Sequence, residues 1–483
     1  MARLSDCPVE IIDQIFGELP SSDLAALCRV NSTLREAAEP LLFNSVDITW
    51  TEDKTPPIIQ LLRSILFRPE LAHRIHHLKL IGNTFKLAKH VEQKFLWIPM
   101  PKIPIVPTEL NPLIAAIEGL RLPCGPSWVE QMEAGTMDAF TALLLACLPN
   151  LKSLLMEKNF TRQTQLVGNV LRSALCEGTA GALPKFEHLQ VVEFFDEYCV
   201  YRQCHHPGGR VNTDDILPLF YLPELQRLEA FIDTPVPGIF DWPTSQPPLS
   251  NITSLALYNL REPALEKLLS ATPALKSLRW SWYCGPPYRW QPQGRDWCQT
   301  IDLQLLATAL SHVRDTLENL HITTYEDLDH NFEYQPIMMK GNFRPMASLS
   351  LKKLHLPWSF LAGFYPDRAI PLEEVVPATV ENLAISDDLF DTRMCEWEEI
   401  EIAEMFPAFF ESRRTTKNQL HHLYIRARSC LAEWYEKCDA TFRMRELCAE
   451  YHVGLKVDYS QHPGKIYHKS GDIFDANGVQ TSA

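Results

Sequence analysis

One short pattern, an apolar residue followed by x-x-apolar-x-apolar, recurs along the chain after residue 70. The ten copies are IHHLKL (75–80), LKSLLM (151–156), LQVVEF (189–194), LQRLEA (225–230), ITSLAL (252–257), LKSLRW (275–280), LENLHI (317–322), LKKLHL (351–356), VENLAI (380–385) and LHHLYI (420–425). A weaker copy, HVGLKV, lies at 452–457. The last two apolar positions alternate with polar ones, as on one buried face of a β-strand. The pattern therefore predicts a series of short strands.

Stretches with helical periodicity separate several of these strands. They cover residues 57–67, 129–148, 165–176, 264–271, 302–313 and 402–410. Strands joined through helices pair in parallel, so we expect an α/β fold from about residue 70, with one curved parallel sheet and outer helices. Neighbouring copies from residue 189 onward start 23–42 residues apart, after an earlier gap of 76 residues. The array is therefore irregular, and an ordinary α/β domain with leucine-rich strands is the alternative.

The first forty residues predict three short helices. Pro8 suits the first turn of the first helix, which Ser5 or Asp6 can cap and Pro20 ends. Ser21 or Ser22 can cap the second helix and Asn31 the third, with Pro40 kinking or ending the latter. An apolar stripe at helical spacing runs along the first helix through Ile12, Ile15, Phe16 and Leu19, widened by Pro8 and Ile11.

Three helices of this length make a poor independent domain, because so small a core needs a disulfide, a metal or a partner. The surplus apolar surface therefore packs either against a partner or against the rest of the chain. Both interpretations are open on the residue pattern alone.

Residues 4–43 resemble an F-box, the adaptor-binding motif of SCF-type ubiquitin ligases. The matching residues are Leu4, Pro8, Glu10, Ile11, Ile15, Phe16, Leu19, Asp23, Leu24, Leu27, Val30, Leu42 and Phe43. The chain departs from the family pattern in its stretched LSDCP opening and in Leu34, which stands where the family often has tryptophan. The resemblance implies that this segment binds a Skp-family adaptor through Pro8, Ile11, Ile12, Ile15, Phe16, Leu19, Leu24, Leu27 and Leu34.

The repeats are similar to a degenerate leucine-rich-repeat solenoid, which often follows an F-box in fungal-type F-box proteins. The expected domains are an F-box at 1–45, a substrate-binding repeat region at 46–460 and a flexible tail at 461–483. The implied function is substrate recognition in a cullin–RING ubiquitin ligase. A repeat-based binding scaffold without degradation is the first alternative, and an enzyme on an α/β domain is the second.

Composition excludes some classes of protein. The chain has 60 acidic and 45 basic residues, a net charge of −15, which argues against a general nucleic-acid binder. It shows no apolar run of membrane-spanning length and no signal-peptide pattern at its start. The 13 cysteines lack paired spacing, as in a reducing compartment. We therefore expect a cytoplasmic or nuclear protein without a membrane partner.

Catalytic and metal-binding motifs are scarce. We find no GxSxG, P-loop or HExxH motif, and we predict no catalytic residue, cofactor or metal. The Cys/His cluster at 199–206 lacks a second ligand pair for zinc. The segment 472–478 lacks the carboxylates of a calcium loop. The acidic segment 395–404 is interpreted as a solvated helix start.

The polar positions that alternate with the strand leucines should form the second face of the sheet. In the seven copies from residue 225 onward, lysine and arginine outnumber acids four to one there. We predict an acidic or phosphorylated substrate at this face, bound by Arg227, Arg279, His321, Lys353, His355, His422 and Arg426. The loop 283–297, rich in Trp, Tyr and Arg, is a second candidate contact, although its tryptophans could instead be buried against the repeats.

Overall fold

The computed structural model describes residues 7–82, 85, 100–177, 183–195, 211–234, 239–284, 300–326, 337–389, 395–414, 420–427 and 439–459. The chain forms two compact units, the first comprising Met1–Cys298, Thr308–Leu317 and Asp327–Phe332. The second comprises Gln299–Ala307, Glu318–Glu326 and Glu333–Ala483. None of the helices in the described part of the chain has the length and hydropathy needed to cross a membrane.

The first unit contains a parallel sheet whose strands follow chain order. These strands are β1 (Ser45–Thr49), β2 (His77–Ile81), β3 (Ser153–Met156), β4 (Val191–Phe194), β5 (Arg227–Phe231), β6 (Ser254–Tyr258) and β7 (Ser277–Cys284). The predictions of an α/β class and of parallel pairing are confirmed. The first strand, β1, has no copy of the pattern and was not predicted.

The second unit contains five more parallel strands of this kind. They are β9 (Asn319–Glu326), β11 (Lys353–Pro357), β12 (Asn382–Ser386), β13 (His422–Ala427) and β14 (Gly454–Tyr459). Two short strands, β8 (Thr300–Asp302) and β10 (Met338–Lys340), form a separate parallel pair. Every copy of the sequence pattern, including the weak one, contains a strand that begins at its third residue.

The two alternating apolar positions of the pattern form continuous rows across neighbouring strands. One row in the first unit consists of Val46, Leu78, Leu154, Val192, Leu228, Leu255 and Leu278. The leucines of this row are at most 1% exposed. Burying one such side chain contributes about 1.5–3 kcal/mol, so the row fixes the register: a shift by one residue would turn every leucine to the other face.

A repeated backbone hydrogen-bond arrangement marks the start of the strands. The carbonyl oxygen of Lys152 accepts hydrogen bonds from the amides of Gln190 (2.8 Å) and Val191 (3.2 Å). In the second unit, the Glu318 oxygen likewise accepts from Lys352 (2.8 Å) and Lys353 (3.1 Å). These backbone hydrogen bonds therefore align the starts of neighbouring strands independently of their side chains.

Three of the described α-helices precede the first strand, and the others lie between later strands. Up to residue 269 they are α1 (Val9–Gly17), α2 (Ser21–Leu27), α3 (Ser32–Asn44), α4 (Ile58–Phe67), α5 (Pro69–Ala72), α6 (Pro107–Leu120), α7 (Gly125–Glu133), α8 (Met137–Ala146), α9 (Lys158–Thr161), α10 (Gln165–Leu175), α11 (Thr213–Ile216) and α12 (Glu262–Leu269). The later ones are α13 (Leu303–Ser311), α14 (Trp358–Ala362), α15 (Glu399–Glu404), α16 (Phe406–Arg414) and α17 (Asp439–Glu450).

The three predicted N-terminal helices are present, with some shifted ends. Pro8 is the N-cap residue of α1 and not part of its first turn. Pro20 takes the cap position of α2, without a side-chain hydrogen bond. The prediction for Asn31 is confirmed, because its Oδ1 accepts from the Leu34 amide at 2.8 Å. Helix α3 continues through Pro40 to Asn44, so the prediction that Pro40 ends it is wrong.

The predicted helix at 129–148 is in fact two helices, α7 and α8. Gly135 lies between them with a φ of 72°, a conformation that favours glycine. A Cβ there would lie 2.5 Å from the carbonyl oxygen of Ile103, whose amide donates to Gly135 at 2.8 Å. The close approach of Ile103 therefore requires glycine at the break between the two helices.

The predicted helix at 402–410 is also two helices, α15 and α16. The first has the acidic start expected for 395–404, and Glu401 accepts from the Glu398 amide at 2.9 Å. The second begins at Phe406 and has Pro407 in its first turn, where proline is tolerated.

Several predictions concern residues outside the described ranges. They are the caps Ser5 and Asp6, the Cys/His cluster at 199–206, the loop 283–297 beyond Cys284, the segment 472–478 and the tail 461–483. Among the described cysteines, seven are free thiols, of which Cys448 is buried and the others are half-buried.

Gly168 in α10 offers a test of the packing between α10 and α11. A Cβ there would lie 2.7 Å from the Cα of Asp215 in α11. Gly168→Ala should therefore lower the free energy of unfolding by about 1–3 kcal/mol, as overpacking does. In urea denaturation, Gly119→Ala is the matched control, because within the described chain no atom lies within 4 Å of its Cβ position. The control should be neutral or stabilise by about 0.5–1 kcal/mol. Equal effects of the two variants would contradict this account.

Candidate functional site

The predicted adaptor-binding residues fall into two groups, one packed in the core of the three helices and one exposed. Phe16 and Leu24 are buried with Ala38 in the core of the three helices, and Ile12, Leu19, Leu27 and Leu34 pack partly buried against that core. Pro8, Ile11 and Ile15 are exposed. The core thus already uses part of the stripe, and Phe16 at 1% exposure is unavailable to a partner without unfolding the helices.

Part of the stripe remains exposed on α1. Ile11 and Ile15 are 44% and 43% exposed and lie four residues apart, so they share one face of α1. Val30, which follows α2, is 65% exposed. We call Pro8, Ile11 and Ile15 the helical apolar surface. Sequence reasoning did not include Val30 among the binding residues, although it is a position of the motif.

The helical segment is joined directly to the first strand. Helix α3 ends at Asn44 and β1 begins at Ser45. Arg68 donates to both carboxylate oxygens of Glu39 at 2.8 and 2.7 Å, and the hydrogen bond from Arg68 lowers the pKa of Glu39. The backbone amide of His76, just before β2, donates to the Asn44 oxygen at 3.0 Å. The three helices are therefore fixed to the beginning of the sheet through α3.

The predicted basic residues of the first unit lie among carboxylates. Arg227 forms an ion pair with Glu193 of the preceding strand β4 (3.2 Å) and another with Glu229 of its own strand β5 (3.3 Å). Burial raises the pKa of Glu193, and Arg227 opposes this rise. Arg279 occupies the position in register with Ala256 and Glu229. This part of the face is a network of paired charges rather than a basic patch.

Tyr258 and Glu229 form the buried centre of that network. The phenol of Tyr258 donates to Glu229 Oε1 at 2.8 Å, and the two residues are 6% and 5% exposed. Phe231 stacks on Tyr258 with ring centroids 4.5 Å apart. Burial, followed by the Glu229 carboxylate, raises the pKa of Tyr258, and Arg279 opposes the rise.

The remaining predicted residues come together on the sheet of the second unit. Lys353 and His422 belong to a row with Asn319 and Asn382, and His321 and His355 are neighbours in the next row. The rings of His321 and His355 stack with centroids 4.1 Å apart and an angle of 17°. His355 is 6% exposed, whereas His422 is exposed and Lys353 half-buried. The first row is therefore the accessible one.

Arg426 lies in a third row, in register with Ser386 and Asp458. Asp458 accepts a hydrogen bond from the Tyr424 phenol at 2.6 Å, and Lys456 Nζ lies 5.6 Å from the centroid of the Tyr424 ring. Sequence reasoning missed Tyr424, Lys456 and Asp458 as site residues. Their alternation with apolar residues places them on this face, but their neighbours depend on the register.

The described residues contain no group of three or more His, Cys, Asp or Glu side chains able to hold a metal ion. The polar faces of the two units each have charged, hydrogen-bonded side chains, with Arg227 and Glu229 in the first unit and Tyr424 and Asp458 in the second. Neither the comparison with protein-family models nor the search of curated proteins finds a match for this chain.

The Tyr258–Glu229 pair gives a prediction for stability. Tyr258→Phe removes a buried hydrogen bond to a carboxylate and should lower the free energy of unfolding by about 1.5–3 kcal/mol in denaturant titrations. Tyr221→Phe is the control, because its phenol donates to the Ser245 carbonyl in an exposed position, and it should lower that free energy by less than about 1 kcal/mol.

The same pair predicts a dependence on alkaline pH. The pKa of Tyr258 is raised above its usual value of 10.0 in the folded protein, so the folded state holds this proton more tightly than the unfolded state. Its contribution to stability is complete below pH 10 and is lost as pH rises through the folded pKa. Tyr258→Phe should lack this loss. A parallel decline of both proteins above pH 10 would contradict the assignment.

Proposed function

We propose that this protein is the substrate-recognition subunit of an SCF-type ubiquitin ligase, located in the cytoplasm or nucleus. The observation that carries the proposal is the helical apolar surface at the motif positions of an F-box. Ile11 and Ile15 remain more than two-fifths exposed on α1, while the facing residues of the same helix form a core. A surface of this kind suits a hydrophobic groove on a Skp-family adaptor.

The exposed isoleucines supply part of the free energy of adaptor binding. Burying an Ile side chain completely contributes about 1.5–3 kcal/mol, so burying the exposed 44% of Ile11 and 43% of Ile15 supplies about 1–3 kcal/mol. Association costs at least about 4 kcal/mol. The partly buried residues at the rim, such as Leu19 and Leu27, are proposed to supply the remaining contact area.

The link through α3 supports a positioning role. The Glu39–Arg68 ion pair and the Asn44–His76 contacts fix the helices to the sheet, so an adaptor bound at α1 would have a set orientation relative to the repeats of the first unit. In this proposal the chain performs no chemistry itself. It holds a substrate protein near the ligase to which the adaptor is bound.

The polar face is the proposed substrate surface, with an acidic or phosphorylated segment as its ligand. Lys353 and His422 are the members that support this choice best, because they belong to the accessible row of the second unit. Arg227 supports it least, since two glutamates already pair with it.

Adaptor binding gives the decisive test. Ile11→Ala with Ile15→Ala should abolish co-purification with a Skp-family adaptor, because both side chains are exposed and lie on one face. The fold should persist, since neither side chain belongs to the buried core. Ile239→Ala with Leu249→Ala is the matched control, because these residues are 57% and 70% exposed outside the helices. Capture of adaptor by the double variant at the wild-type yield would refute the proposal.

Phe16 is unsuitable for that test. Truncating so deeply buried an aromatic residue costs about 3–5 kcal/mol, so Phe16→Ala would disrupt the three helices as well as any contact with an adaptor.

A non-degradative scaffold would bind the adaptor and fail to promote ubiquitination of a co-purified partner in a reconstituted ligase.

Substrate charge can be examined with a labelled oligoglutamate peptide. Its binding to the full chain should weaken as salt rises, because exposed charges are screened over about 8 Å at physiological ionic strength. Lys353→Glu should weaken it further, while Lys276→Glu, at an exposed lysine that precedes β7, should not. Binding that is insensitive to both salt and charge reversal would show that the basic residues have no such role.

A further inference from the structure

A group of basic side chains lies where the first strands of the sheet begin. His76 and His77 stand at the start of β2, Lys152 precedes β3, and His188 lies shortly before β4. The amide of Lys152 donates to the His76 carbonyl oxygen at 2.7 Å, and the amide of Gln190 donates to the Lys152 carbonyl oxygen at 2.8 Å. These bonds hold the three strand starts side by side. We call His76, His77, Lys152 and His188 the strand-start cluster.

The two adjacent histidines are held in place by polar neighbours. Nδ1 of His76 lies 3.0 Å from Asn44 Oδ1, and Nδ1 of His77 lies 2.7 Å from Ser153 Oγ. The centroids of the two imidazole rings are 6.5 Å apart. Both rings are half-buried, whereas the other two members of the cluster are exposed. The cluster is therefore fixed on its inner side and open to solvent on its outer side.

Acidic residues are missing from this edge of the first unit. The residues that immediately precede β1 to β7, and the first residue of each of these strands, include no aspartate or glutamate. At the corresponding edge of the second unit, Glu318 precedes β9 and pairs with Lys352 at 2.8 Å. Lys152 has no such ion pair within the described ranges. Its charge is therefore available to a ligand.

The carboxylates of the surroundings occupy other positions. Asp47 and Glu193 share a row with Lys79, two residues further along the strands. Glu187 is exposed beside the last histidine of the cluster, and Arg74 adds an exposed cation before β2. The other charged or titratable side chains on the adjoining segments are Glu39, Arg68, Glu70, His73 and Lys185.

The pKa values of the two adjacent histidines reflect this surplus of cations. Burial, and then the Lys152 ammonium, lower the pKa of His76, while a backbone hydrogen bond opposes them. Burial, and then Lys152 and Lys79, lower the pKa of His77. An anion bound beside these rings would act against the lysines and favour the protonated imidazoles.

We propose that the strand-start cluster binds a compact oxyanion with two negative charges, such as sulfate or a phosphate monoester, and takes up protons as it does so. Lys152 supplies a permanent charge, and the protonated imidazoles supply N–H donors. Sulfate and phosphate suit several separate donors better than a carboxylate does, because they have more than two acceptor oxygens. The site is independent of the proposed adaptor binding, since no member of the cluster belongs to the helical apolar surface.

Proton uptake gives this binding a defined pH dependence. The pKa values of His76 and His77 lie below their ordinary value of 6.5 in the folded protein, so both rings become charged only as pH falls below 6.5. Affinity for sulfate, whose own charge is constant in this range, should therefore rise on acidification. Without an anion the same protonation destabilises the folded state below pH 6.5, and sulfate should reduce that loss.

The experiment follows the histidine ring signals of the full chain, labelled with ring-¹³C histidine, by NMR. His77→Gln and His188→Gln assign two of the signals. Sodium sulfate replaces sodium chloride at constant ionic strength, at about pH 7.5 and about pH 5.5. We expect saturable shifts of both signals with sulfate and none with chloride. Affinity should be about tenfold higher at the lower pH, because uptake of one proton changes affinity by up to about tenfold per pH unit.

Two lysine variants provide the matched comparison. Lys152→Gln should weaken sulfate binding about two- to fivefold at both pH values, the size of one exposed charge contact. Lys352→Gln is the control, because this exposed lysine takes the same place before β11 and already pairs with Glu318. The control should bind sulfate as the wild type does.

A third comparison separates the two sources of the anion. Inorganic phosphate and a glycine-flanked phosphoserine peptide are titrated at about pH 6.5, and binding of either supports the site. Tighter binding of the peptide assigns the ligand to a phosphorylated protein segment, and tighter binding of inorganic phosphate assigns it to a free anion.

Equal shifts with sulfate and chloride, an affinity that does not change with pH, or equal weakening by Lys152→Gln and Lys352→Gln would overturn the inference. If His77→Gln does not fold, His188→Gln replaces it, because that side chain is exposed. It should weaken binding at about pH 5.5 and not at about pH 7.5, since histidine is ordinarily charged only at the lower pH. An equal loss at both pH values would contradict the proposed proton uptake.

Discussion

Register between parallel strands is the constraint on which the rest of this structure depends. Before many of the described strands, one carbonyl accepts hydrogen bonds from two successive amides at the start of the next strand, as at Lys152 and Glu318. With that alignment fixed, the apolar positions must form unbroken rows, and the residues between them must form rows on the other face. Side chains separated by 23–42 residues in sequence therefore become neighbours. Both the core and the candidate surfaces follow from this alignment.

Attachment of the N-terminal helices uses the same constraint. Helix α3 leads into β1, which pairs with β2 although it has no copy of the repeat pattern, and Glu39–Arg68 holds the junction from the side. The three helices are thus attached to the first strand of the sheet. A short three-helix segment with a core of Phe16, Leu24 and Ala38 gains stability from that attachment. The apolar stripe of α1 therefore has two parts: Phe16 packs within the three-helix segment, whereas Ile11 and Ile15 remain exposed.

Strand positions could be predicted from sequence because period-two alternation is local and the same pattern is repeated. The breaks inside two predicted helices could not, since they depend on tertiary contacts such as the Gly135–Ile103 approach. The charged face was predicted in composition but not in character. The alternation identified Arg227 as outward-facing, yet its pairing with Glu193 depends on how the strands align.

The polar face and the apolar rows obey different constraints. Positions on the polar face, such as Lys353 and His422, lie outside the apolar rows, so their charge can change without altering the register. Ile385, Ile425 and Val457 occupy matching positions of one apolar row, so a substitution there changes the packing of three neighbouring strands. Electrostatic contacts on the face are weakened by adjacent acids such as Asp458 and by salt, whereas the apolar rows do not depend on charge. The register therefore rests on the apolar rows, and the polar face can vary in charge at little cost in stability.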